Sequence, residues 1–168
     1  MKKILPVIIL ACIATSIMAQ PGKYAGKQSG LINTVYTDNR HIPGLSDWTF
    51  MQGSMLNELS DTMTILVDIY KKGSSFIVFF STKDSAAVEY TINDVLEIPP
   101  LAKGWEVKTS FCRQNEMEDP LVVALVKLAK TEYLKPLKKA WRFNRETKVI
   151  EQVPVTGISC LNEGFDID

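Results

Sequence analysis

Between Lys127 and Lys148 the chain carries eight cations (Lys127, Lys130, Lys135, Lys138, Lys139, Arg142, Arg145 and Lys148) against two acids, Glu132 and Glu146. Tyr133, Trp141 and Phe143 are interleaved among them. The whole chain has 19 basic and 19 acidic side chains, so this local positive excess stands on a neutral background. A strip of that kind would draw in an anionic glycan, a lipid head group or an acidic protein. The residues placed to grip such a ligand are Tyr133, Lys138, Trp141, Arg142, Arg145 and Lys148.

Strand alternation divides that set. Lys135 and Lys139 share the side of Trp141, while Lys138 and Arg142 point the other way. If the Trp141 side packs inward, Trp141 is a core ring and the patch shrinks to Lys138, Arg142, Arg145 and Lys148. A solvated edge hairpin guarded by lysine is the competing reading of the stretch 127–148, since charge on an edge blocks strand addition.

No enzymatic arrangement is legible, and the expectation leans against catalysis. His41 is the single histidine, between Arg40 and Ile42 in an irregular stretch, and no G-x-S-x-G elbow surrounds any serine. Zinc sites need several His or Cys ligands at short spacing, so no metal is expected. No glycine loop is built to cradle a phosphate, so no cofactor is expected either. Paired carboxylates could hydrolyse a glycosidic bond without histidine. The candidates are Glu116, Glu118 and Asp119 in one loop, and Asp84, Glu89, Asp94 and Glu97 around one strand. No carboxylate sits inside an apolar run of the sort that raises a carboxyl pKa, with Asp68 the nearest exception. Neutral overall charge gives no reason to expect nucleic acid as a partner.

The elements that must hold these side chains begin after an address. Met1-Lys2-Lys3 is followed by an almost wholly apolar run to Met18, closing on Ala19, in the order of a secretory signal. Cleavage is expected between Ala19 and Gln20. The brief basic start and short run suit a bacterial cell envelope, in the periplasm or outside the cell. A lipobox-like Ile9-Leu10-Ala11-Cys12 offers lipid anchoring through Cys12 instead, although the apolar run continues beyond it. Without residues 1–19 the chain carries 17 basic and 19 acidic residues and no further membrane-spanning stretch. It then keeps two cysteines, Cys112 and Cys160, which in an oxidising compartment read as one disulfide.

From Gln20 to Asp47 the composition is rich in Gly, Ser, Asn, Thr and Asp, predicting an irregular, partly mobile leader with at most one strand near Leu31 to Tyr36. The region 48–168 reads as a single β-rich domain. Thr62–Tyr70 alternates like a half-buried strand, and Ser75–Ser81 is apolar on both faces, with Lys71–Ser74 as the turn between them. A third strand runs from Val88 towards Ile98, and Pro99-Pro100 stops it. Trp105–Cys112 alternates again, and residues 113–119 read as a polar, acidic loop. Residues 121–128 could be a helix started by Asp119-Pro120, but three valines favour a buried strand. Leu137–Asn144 and Val149–Val153 flank a turn at 145–148, and Gly157–Cys160 ends the series. Seven to eight short strands without crossover helices predict a mainly β fold, an antiparallel sandwich or partly open barrel with room for one short helix. An α+β fold is the alternative. The functional expectation is an exported binding or interaction module, with a small carboxylate-dependent hydrolase or a structural subunit of a surface assembly as alternatives.

Overall fold

The computed structural model describes residues 30–56, 62–84, 86–135 and 137–165. The signal-like stretch with Cys12, Ala19 and Gln20 lies outside the described residues. Within them the protein is all β, with thirteen strands and no helix. Nine strands have four or more residues, and the other four have two or three.

Three antiparallel sheets form. The first holds β1 (Val35–Tyr36), β2 (Thr49–Met55), β3 (Met63–Lys72), β4 (Ser75–Asp84) and β5 (Tyr90–Ile98), in the order β1-β5-β4-β3-β2. The second holds β6 (Trp105–Thr109), β9 (Val122–Lys127), β11 (Leu137–Asn144) and β12 (Val149–Val153), in the order β12-β11-β9-β6. The third holds β7 (Cys112–Gln114), β8 (Met117–Glu118), β10 (Tyr133–Leu134) and β13 (Ile158–Leu161), in the order β10-β13-β7-β8.

The layering follows from which strands are apolar on both sides. Ile65, Val67 and Ile69 of β3 and Val78 and Phe80 of β4 face Val123, Leu125, Trp141 and Phe143 of the second sheet. Phe80 and Phe143 stack across that interface with ring centroids 4.5 Å apart. On its other face the second sheet packs Val122, Ala124, Val126 and Ala140 against Leu134, Ile158 and the two cysteines of the third sheet. β9 is therefore buried on both sides, which is why its valine-rich sequence forms a strand and not the helix that Asp119-Pro120 could have started.

Leu31, Tyr36, Ile42 and Leu45 are buried against Leu66, Tyr70, Ile77 and Phe79, so the described part of the leader, irregular apart from β1, packs as a layer over the first sheet. Three expectations are corrected. The polar side of β3 is consequently covered, and it is buried on both faces instead of one. Residues 113–119 are a hairpin and not a loop, because Asn115 and Glu116 both take positive φ and close a two-residue turn between β7 and β8. The strand expected over Trp105–Cys112 breaks at Ser110, whose φ of 67° turns the chain from the second sheet to the third.

Two cross-links hold the stack. Cys112 and Cys160 face each other across the β7–β13 pair and form a buried disulfide. Asp94, buried at a bulge in β5, accepts the N–H of Val95 at 2.8 Å and that of Ile150 on β12 at 2.6 Å. The outer edge of the second sheet is thereby tied to the first. Replacing both cysteines with alanine should lower the unfolding free energy by up to about 4 kcal/mol, the chain-entropy value for a closed loop of this size, in urea titrations. Asp94→Ala should cost about 2 kcal/mol in the same titrations, because it strands the Ile150 amide.

Candidate functional site

The third sheet is too short to cover the whole outer face of the second, and a cleft opens where it stops. Its volume is about 860 Å³. One wall is the β7–β8 hairpin, with Gln114, Asn115, Met117 and Glu118, followed by Asp119 and Pro120. The floor and far wall come from the β11–β12 hairpin, with Arg142, Asn144, Arg145, Glu146, Glu151 and Val153.

Local hydrogen bonds set the position of each wall. The Asn115 N–H donates to the Gly157 carbonyl at 2.8 Å, and the Asp119 N–H to the Cys112 carbonyl at 2.9 Å. Gly157 sits at a φ of 79°, and a Cβ there would collide with the Asn115 side chain. On the opposite hairpin Asn144 organises the turn. Its Oδ1 accepts the N–H groups of Glu146 and Thr147 at 3.0 and 3.1 Å, while its Nδ2 donates to Glu151 at 3.2 Å. Lys148 closes that turn with a φ of 58°.

Across the cleft, Arg142 Nε donates to Asp119 Oδ2 at 2.9 Å. The Asp119 side chain is mostly covered and its other oxygen accepts the Leu121 N–H at 3.3 Å, so the pair is oriented from the protein side. The Arg142 side chain is half exposed. The lining thus presents guanidinium forks, carboxylates and side-chain amides, with four carboxylates against two guanidiniums. It includes no Ser, Thr, Cys, His, Lys or Tyr, so a nucleophile there would have to be a carboxylate.

The six residues expected to grip a ligand are dispersed. Arg142 and Arg145 line the cleft. Trp141 is a core ring facing the first sheet, the outcome that strand alternation had left open. Lys138 is lifted out of the alternation by a bulge between Leu137 and Lys139, and its Nζ lies 5.4 Å from the centre of the Trp105 ring. Tyr133 is on β10 in the third sheet, under the guanidinium of Arg113 at 3.4 Å. Lys148 is in the exposed β11–β12 turn. The cleft adds Gln114, Asn115, Glu151 and Asn144 to the candidates, and it includes Glu118 and Asp119 of the acidic loop. Alternation could not find this grouping, because it joins segments about 25 residues apart in different sheets.

No group of three or more His, Cys, Asp or Glu among the described residues is placed to hold a metal ion. No helix among them is long and apolar enough to cross a membrane. Comparison with family models, with curated proteins and with solved structures finds no match to this chain.

The cleft wall carries one local conflict. Glu116 has a φ of 69°, a conformation that glycine adopts without steric penalty. Glu116→Gly should therefore raise the unfolding free energy by about 1 kcal/mol, and Gly157→Ala should lower it by more, both read from denaturant midpoints.

Proposed function

We propose that the protein is an exported binding module whose cleft between the β7–β8 and β11–β12 hairpins takes a polar ligand. The observation that carries this reading is the cleft lining: oriented guanidinium, carboxylate and amide groups, none of them a hydroxyl, thiol or imidazole. Such groups match paired hydroxyls, and a few fixed polar groups in a concave site are the usual basis of orientation and specificity. The excess of carboxylates makes a neutral or amine-bearing saccharide a better fit than the anionic ligands that the basic stretch alone suggested. Export to the periplasm or the exterior is supported by the buried Cys112–Cys160 disulfide, a bond that persists in oxidising compartments, together with the signal-like run from Met1 to Ala19.

A second reading has its own observation. Glu118, Asp119, Glu146 and Glu151 share the cleft, so a carboxylate-dependent hydrolase of glycosidic bonds fits the same residues.

Isothermal titration of the purified protein with neutral, amine-bearing and anionic oligosaccharides tests the binding reading. Arg142→Ala, which also releases Asp119, should weaken binding of the neutral or amine-bearing sugars at least about tenfold while retaining a cooperative melt. Binding confined to anionic sugars, or unchanged in Arg142→Ala, would overturn it. Shortened sugars in the same mixtures, lost in Glu118→Gln or Glu151→Gln, would favour the hydrolase.

A further inference from the structure

The outer face of the first sheet holds a second polar cluster, independent of the cleft. Asp68 on β3 is wholly buried there. Its Oδ2 accepts the Tyr36 hydroxyl at 3.2 Å and its Oδ1 accepts Asn39 Nδ2 at 3.0 Å. Both donors come from the covering segment, Asn39 from its irregular part and Tyr36 from β1, the two-residue strand at the edge of the sheet. The cross-strand partner of Asp68 on β2 is Gly53, and a Cβ there would lie 2.5 Å from Asp68 Oδ1. The sheet thus leaves room for a carboxylate that the cover must satisfy.

No cation among the described residues offsets that charge. Among the described residues Asp68 forms no ion pair. Tyr36 from the cover and Tyr70 from β3 are the titratable groups against it, and Asp38 acts on Tyr70 from the cover with His41 paired to it at 2.7 Å. From β2 come Gly53 and Phe50, and from β4 Phe79, none of them charged. The Tyr70 hydroxyl is buried with no hydrogen-bond partner among the described residues. Burial pushes the Asp68 carboxyl up to about 6, against the opposing effect of its two hydrogen bonds. Burial, followed by the charge of Asp68, raises Tyr36 and Tyr70 well above the usual phenol range.

The cover is otherwise held by a short run of backbone pairing and one exposed ion pair. β1 pairs with β5 through two residues, Val35 with Thr91 and Tyr36 with Tyr90, and beside them the Asn33 N–H donates to the Ile92 carbonyl at 2.8 Å and the Ile92 N–H to the Thr34 carbonyl at 3.0 Å. Lys72 Nζ on β3 donates to Asp47 Oδ2 at 3.1 Å. Apolar contacts of Leu31, Ile42 and Leu45 add to this, and the Tyr36 ring stacks on Tyr90 with centroids 5.7 Å apart. Tyr36 is therefore both a cover anchor and a donor to the buried charge.

We propose that the layer spanning residues 31–48 is a pH-gated cover, which Asp68 holds closed over the first sheet in acid and loosens as the medium becomes neutral. The direction follows from linkage. A carboxyl whose closed-state pKa lies above its exposed value binds a proton more readily when closed, so closure is favoured at low pH and loses that advantage between about pH 4 and pH 6. Opening would present Tyr70, Ile77 and Phe79, a tyrosine-bearing apolar face, to whatever the protein meets at neutral pH.

Hydrogen exchange on the intact protein, corrected for intrinsic rates, tests this without any ligand. Amides of 31–48 should open about tenfold more readily at pH 7 than at pH 5, with β9 and β11 unchanged. Asp68→Asn should remove the difference. Tyr36→Phe, which deletes one donor to the carboxylate, should move the transition to higher pH. Equal protection of 31–48 at both pH values in the unaltered protein would overturn the proposal. So would a change spread evenly over β9 and β11, or one that persists in Asp68→Asn.

Discussion

The central strands of the two inner sheets have no face that can be left in water. β4 and β9 are apolar on both sides, and so is most of β3, so each sheet has to be covered twice. They cover one another through Phe80, Trp141, Phe143 and their neighbours, which leaves one outer face on each. The chain supplies those two covers from opposite directions. Residues before β2 close the first sheet, and the disulfide-linked third sheet closes the second. Three of the sheet margins, β1, β8 and β10, are strands of two residues, each held by two paired positions.

The two buried aspartates show how polar groups are accommodated within that stack. Asp94 receives two backbone N–H groups, so its charge is met by the main chain of β5 and β12. Asp68 receives two side-chain donors from one thin layer, with neighbouring aromatic rings and no cation. The first arrangement joins two sheets firmly, because backbone donors are fixed by the ladders around them. The second makes the closure of a layer depend on the charge of a single group, since burying a carboxylate costs free energy that only its partners offset. The same chemical group therefore acts as a fastening in one place and as the basis of a proposed gate in the other.

The cleft has an equally simple origin. The third sheet ends at β8, and the face of β11 and β12 beyond it carries Arg142, Asn144 and Glu151 in place of the aliphatic residues found under the cover. Polar side chains there are consistent with a surface that meets water or ligand. The turn at Asn115 and Glu116 and its contact with Gly157 decide where that wall stands. The proposed binding reading rests on this geometry, with the polar lining positioned by hairpins whose turns are themselves hydrogen-bonded.

Much of the local structure is legible from the residues alone. The hairpin of β3 and β4, the strands Leu137–Asn144 and Val149–Val153, the halt at Pro99-Pro100 and the pairing of Cys112 with Cys160 all follow from alternation, turn residues and cysteine count. These signals are short-range, or depend on only two candidates. The cover, the third sheet and the cleft depended on tertiary structure, because period-2 patterning says that a face is apolar but not what lies against it. Asp68 stood out within its apolar run, yet its donors Tyr36 and Asn39 come from a segment whose composition reads as loop. Arg142 and Asp119 lie 23 positions apart, and only the stacking of one sheet on another brings a guanidinium and a carboxylate from separate hairpins to 2.9 Å.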